Sequence, residues 1–163
     1  MSEKVYGIAL GTTYSAIARI NDLDQAEIIR NTEGDFTTPS TAYFEESGNV
    51  VIGKQAKQVL VTDPDNGVAL IKRHMGTEHP VEYRGTTYTP ESISALILRE
   101  IVNAANVETG EAIDKVVITV PAYFGIQERE ATKQAGEIAG LDVVGVVTEP
   151  VAAALSIGIG SQE

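Results

Sequence analysis

The sequence predicts an α/β fold, a mixed sheet covered by helices on both faces. Three observations carry that prediction. The first thirty residues are short apolar runs parted by turn signals, as in an antiparallel meander. Two later apolar runs, residues 115–120 and 143–147, alternate with helical patterns, which is how parallel strands are joined. The chain has 163 residues, 43% hydrophobic and 21% charged, enough for one domain with a real core.

In chain order, residues 4–10 read as a first strand, interrupted by Gly11-Thr12-Thr13. Residues 15–20 resume it, a turn follows at residues 21–24, and residues 26–29 make a third strand. Residues 31–40, polar and holding Gly34, Asp35 and Pro39, read as an exposed loop. Residues 41–44 and 50–52 flank a hairpin turn, and residues 54–60 form a brief helix stopped at Asp63-Pro64. Residues 68–74 read as helical, ending near Gly76. A second hairpin pairs residues 81–83 with 86–88 around Arg84-Gly85.

The clearest helix starts at Thr89-Pro90, where Thr caps, Pro suits the first position and Glu91 sits in the first turn. Ile93, Leu96, Ile97, Ile101 and Ala104 recur on one of its faces. After the strand at 115–120, ended by Pro121, residues 127–139 form a helix with Gly140 and Leu141 placed to close it. The strand at 143–147 leads to Glu149-Pro150 and a last helix over 151–157. The chain stops soon after, where an α/β protein would often add a strand, so half of a larger domain is expected.

Charge and composition narrow the function. Twelve Lys and Arg against 23 Asp and Glu give a net charge of −11, which opposes binding to nucleic acid or anionic lipid. No apolar run approaches the ~20 residues of a membrane span. Met1 to Lys4 lead into the first strand without a secretory segment, and the chain has no cysteine. A cytoplasmic protein is expected. His74 and His79 lack metal-ligand spacing, and Tyr6, Tyr43, Tyr83, Tyr88 and Tyr123, mostly strand residues, are read as used for packing.

Three places carry candidate chemistry. Gly11-Thr12-Thr13-Tyr14 between two strands offers a tight turn, N–H groups and hydroxyls to a phosphate; it also fits a plain hairpin, and it is not a Walker loop. Lys72 and Arg73 are either a cation for a γ-phosphate or a solvated face. Glu149 follows a buried strand, either as a ligand-facing acid or as a first-turn acid favoured by the helix dipole.

Taken in order, longer segments say more. They are residues 7–15 (GIALGTTYS), 31–40 (NTEGDFTTPS), 71–73 (IKR), 117–124 (VITVPAYF) and 148–155 (TEPVAAAL). Together they closely resemble the start of the nucleotide-binding domain of Hsp70 (DnaK-type) chaperones, almost from end to end. The resemblance implies an actin-like, ribonuclease-H-like fold. It also implies that residues 1–163 are the first lobe of the ATPase domain. The core subdomain would be residues 1–38 and 112–163, and the smaller, trimmed outer subdomain about 39–111.

The resemblance also assigns roles. Gly11, Thr12, Thr13 and Tyr14 match the first phosphate loop. Lys72 matches the catalytic lysine, and Glu149 the acid that positions the attacking water and hydrated Mg²⁺. Pro121 and Arg129 match the pair that reports nucleotide state. Residues 32–39 match a loop near the exchange-factor face. The implied cofactor is ATP or ADP with Mg²⁺. The implied partners are unfolded polypeptides, a J-domain protein and a nucleotide-exchange factor, in a stress-response chaperone. Departures accompany the match. Ala9 stands where the family has an Mg-site Asp, Phe36 and Gly145 stand where basic residues are usual, and the stretch 76–89 is shorter than usual. The second phosphate motif, Asp-Leu-Gly-Gly-Gly-Thr, is absent from these residues.

ATP hydrolysis by this chain alone is therefore not expected, and self-association through the lobe face beside residues 151–157 is. Two rival readings stand beside this one, a non-catalytic interaction module and another actin-like ATPase such as a sugar kinase or filament protein.

Overall fold

A computed structural model describes residues 5–20, 23, 25–69, 75–78 and 80–148. Strands β1 (Val5–Leu10), β2 (Tyr14–Ile20) and β3 (Ala26–Ile28) form the expected antiparallel meander. Strands β10 (Lys115–Val120) and β11 (Asp142–Thr148) add to β1 in parallel, giving the order β11-β10-β1-β2-β3. The sheet is therefore mixed, as predicted.

Alternation along β1 divides its two faces. Tyr6, Ile8 and Leu10 are buried, while Val5 and Ala9 are exposed. Ile8 lies level with Ile118 of β10 and Ile17 of β2, and this face meets helix α2 (Pro90–Thr109) and helix α3 (Ile126–Ile138) in one core. Gly136 is what lets α3 lie close, because a Cβ there would collide with Val143 and crowd Ile118. The final helix expected over 151–157 lies outside the described residues.

The helix ends follow the sequence signals. The Thr89 hydroxyl accepts from Ser92 N–H at 3.1 Å and Ser92 Oγ accepts from Thr89 N–H at 2.8 Å, a reciprocal cap. At the end of α3, Gly140 N–H donates to Glu137 O and Leu141 N–H to Gly136 O, both at 3.0 Å, with Gly140 at φ 85°. That is a Schellman ending, as the Gly-Leu pair predicts.

Two readings are corrected. Residues 31–40 are not loop throughout, since Thr38–Pro39 forms β4 against Tyr14 and Ser15, and Pro39 and Ser40 are buried. Residues 68–74 are not a continuous helix. Gly67–Ala69 forms β7, antiparallel to β5 (Thr41–Phe44), and residues 70–74 are outside the described set. Both strands are too short for periodicity to reveal. Each forms because a partner offers unpaired backbone groups, which overrides local propensity.

Strands β5, β6 (Val50–Ile52) and β7 make a second sheet, covered by helix α1 (Lys54–Thr62). The hairpin β8 (Val81–Tyr83) and β9 (Thr86–Tyr88) turns through Arg84 and Gly85 at φ 53° and 81°, the positive pair a two-residue hairpin favours. Phe44 stacks on Tyr83 at 4.5 Å, and Arg84 Nε donates to Phe44 O at 3.0 Å, so this hairpin docks on β5.

Below β5, the Asp63 carboxylate accepts from Tyr43 Oη at 2.6 Å and from Asn66 Nδ2 at 2.9 Å, with Arg84 3.8 Å away. The Tyr43 hydrogen bond, then that of Asn66, holds the Asp63 pKa below its ordinary value. Its stabilisation is thus present above the unfolded-state value of ~3.9 and fades as pH falls through the lower folded value. The stability gap between the parent and Asp63→Asn should accordingly shrink below about pH 4. Urea melts across acidic pH check this, and a gap that does not change with pH would contradict it.

Candidate functional site

Parallel strands deliver their C-terminal ends to one edge of a sheet, and α/β proteins bind ligands there. Here Ala9 is level with Thr119, and Val120 with Thr148. The edge therefore carries the turn after β1 (Gly11 to Thr13), the turn after β10 (starting at Pro121) and the end of β11.

The first turn is tightly braced. Two of its carbonyls are taken by Ser40: Ser40 N–H donates to Thr13 O at 2.9 Å, and Ser40 Oγ to Gly11 O at 2.8 Å. The buried Ser15 hydroxyl meets the Ser40 hydroxyl at 2.8 Å. Gly11 is required, since any Cβ would strike the Tyr14 carbonyl oxygen. The N–H groups of Thr12 and Thr13 have no protein partner among the described residues. A turn with carbonyls held back and N–H groups free suits a phosphate oxygen. Tyr14, half exposed, leaves the turn toward α1, where Lys57 Nζ donates to its hydroxyl at 3.1 Å.

The metal position fits less well. Ala9 lies on the exposed face of β1 beside Ala16 and Thr119 and presents no oxygen from its side chain. Among the described residues no three His, Asp or Glu side chains gather to hold a metal ion.

The second turn carries the other two described candidates. Pro121 O accepts from Phe124 N–H at 3.1 Å, closing a turn into α3. Glu128 caps that helix by accepting from Gly125 N–H at 2.6 Å, and Arg129 Nε donates to Gly125 O at 3.4 Å. Pro121 and Arg129 are thus joined through one short connection. Tyr123, read as a packing residue, is instead 74% exposed in this turn, edge-on to Phe124 at 5.4 Å. A turn residue has no sheet face to pack on. Lys72, Glu149, His74 and His79 lie outside the described residues.

The loop 31–37 is ordered by one side chain. Asn31 Oδ1 accepts from the N–H groups of Glu33 and Asp35, and its Nδ2 donates to Thr37 O and Thr38 Oγ1. Phe36, in the place of a basic residue, lies under the Arg30 guanidinium at 4.2 Å. The role of Ser40 as the brace of the phosphate turn was not legible in the sequence, where Thr-Pro-Ser reads only as loop.

A family model described as Hsp70 protein matches residues 5–81 and 77–163. The chain belongs to the Hsp70 family. The two matched segments overlap at residues 77–81. Hsp70 proteins are ATP-binding chaperones. The mixed sheet with its helices is consistent with the actin-like ATPase fold of the Hsp70 N-terminal region. Hsp70 domains of this kind bind ATP or ADP with Mg²⁺ and, as a family, meet substrate and cochaperone partners. No described helix is long and apolar enough to cross a membrane.

Proposed function

We propose that this chain is the first lobe of a DnaK-type ATPase domain, serving ATP-dependent binding and release of unfolded polypeptides in a cytoplasmic stress response. The observation that carries the reading is the shared edge at which β1, β10 and β11 end. We assign the core subdomain to residues 1–38 and 112–163 and the outer one to about 39–111, with α2 packed on elements of both.

In this reading the N–H groups of Thr12 and Thr13 donate to phosphate oxygens, and Gly11 lets the backbone approach them. Tyr14, held by Lys57, fixes the direction of the turn. Lys72 supplies positive charge at the γ-phosphate, and Glu149 orients the attacking water. Pro121 and Arg129, joined by the 121–125 turn, carry the nucleotide state away from the edge. Bound ATP with Mg²⁺ would supply the phosphoryl group and the charge that polarises it. Residues 32–39 would face an exchange factor, with Phe36 altering that contact. Gly145 likewise weakens a J-domain contact.

Ala9 argues that the present chain hydrolyses no ATP alone and binds it only in the high micromolar range or weaker, about 5 kcal/mol or less. Ala9→Asp should strengthen Mg²⁺-ATP binding about tenfold while leaving Mg²⁺-free binding nearly unchanged. Calorimetry with and without Mg²⁺ reads this difference, and an equal change in both would remove the site from position 9. The exposed apolar residues Val5 and Val144, with the apolar segment 151–157, favour the second reading of a self-associating interaction module. Sedimentation at several concentrations decides that, and a monomer throughout rules it out.

A further inference from the structure

The residues flanking the β8–β9 hairpin border a groove of about 720 Å³ that the residues of the phosphate turn do not line. Residues 76–78 and Pro80, with residues 89–91, make one wall, and the first turns of α3 make the other. Pro90, Ile126 and Ala131 form an apolar floor, and Glu78, Glu91 and Glu130 stand around it. Ile126 is 79% exposed, a large apolar side chain that the described residues leave uncovered at the start of a helix.

The groove is preformed. Gly76, at φ 79°, brings its backbone against the first turn of α3, where a Cβ would lie 3.2 Å from Glu128 N. The preceding Met75 is 2% exposed, with its sulfur accepting from Ser94 Oγ at 3.4 Å. Wall and floor are thus fastened to the same core as the sheet.

The charges select the occupant. Among the described residues, Glu78, Glu91 and Glu130 make no ion pair, and no lysine or arginine lines the groove. An acidic ligand would be repelled by three carboxylates, and a purely apolar one would leave them against it unpaired. We propose that this groove docks a cationic amphipathic segment of a partner protein, an apolar side chain on Ile126 with lysines or arginines facing the three glutamates. The two family matches, residues 5–81 and 77–163, overlap in the segment that lines the groove. The inference does not depend on the nucleotide reading.

The test titrates the isotope-labelled chain with two short synthetic peptides that share their leucines, one flanked by lysine and arginine, the other by aspartate and glutamate. Saturable NMR shifts at Ile126, Ala131 and Gln134 are expected with the basic peptide only, weakening as salt rises. Glu130→Lys should weaken that binding about fivefold and Ile126→Ser about tenfold. Both side chains are exposed, so both variants keep the fold. Equal binding of the acidic peptide, shifts elsewhere, no saturable shift, or unaltered binding by both variants would each overturn the proposal. Shifts at the same residues that grow with protein concentration alone would assign the groove to a second copy and overturn it too.

Discussion

Replacing Ile118 by alanine is expected to lower the unfolding free energy by about 2–5 kcal/mol. Ile118 is fully buried at the middle of β10, level with Ile8 of β1 on one side and paired with Val146 of β11 on the other. Helix α3 comes so close at Gly136 that its neighbours have little room to settle into the vacated space. The cost is therefore lost apolar burial plus a cavity that does not collapse. Against a typical total of about 5–15 kcal/mol, such a loss is large. Urea melts should show a lower midpoint with an unchanged slope. A loss under about 1 kcal/mol would mean that the sheet–helix interface is looser than the close approach of Gly136 requires.

Gly11→Ala has the largest expected effect on the candidate site. The new methyl would collide with the Tyr14 carbonyl, a backbone atom that a rotamer change cannot move aside. The turn must open, and opening it strains the bonds from Ser40 to Gly11 O and Thr13 O. Stability should fall by about 1–3 kcal/mol. Nucleotide binding should fall at least about tenfold, because opening the turn displaces the N–H groups of Thr12 and Thr13 proposed to meet the phosphate. Two measurements separate the effects, a urea melt for the fold and an NMR titration with ATP for the turn. Full ATP binding in a folded Gly11→Ala variant would take the phosphate away from this turn. Ser40→Ala should act in the same direction but less strongly, since Ser40 N–H still holds Thr13 O.

Much was legible because the signals are local. The cap at Thr89-Pro90, the Gly140-Leu141 ending, the Arg84-Gly85 turn and the alternation of Tyr6, Ile8 and Leu10 each rest on residues a few positions apart. The family was legible for another reason, since five separated segments in one order are far more specific than any of them alone. The misread places are those where a distant strand decides the local structure. Residues 38–39 and 67–69 become strands only because β2 and β5 have backbone groups to pair, and nothing within either short run announces that. Tyr123 is exposed rather than packed because Pro121 ends the ladder just before it and leaves it in a turn.

By itself, then, the sequence determined the type of every long element, the mixed sheet, the Hsp70 resemblance and the residues that match its phosphate turn. Those follow from periodicity, turn chemistry and motif order, which are properties of neighbours in the chain. Only the tertiary structure decided that Ser40 braces Gly11, that Lys57 holds Tyr14, and that Glu78, Glu91 and Glu130 ring one apolar groove. These depend on backbone paths meeting across tens of residues, and hydrogen-bond distances and shared walls exist only once packing has brought those paths together.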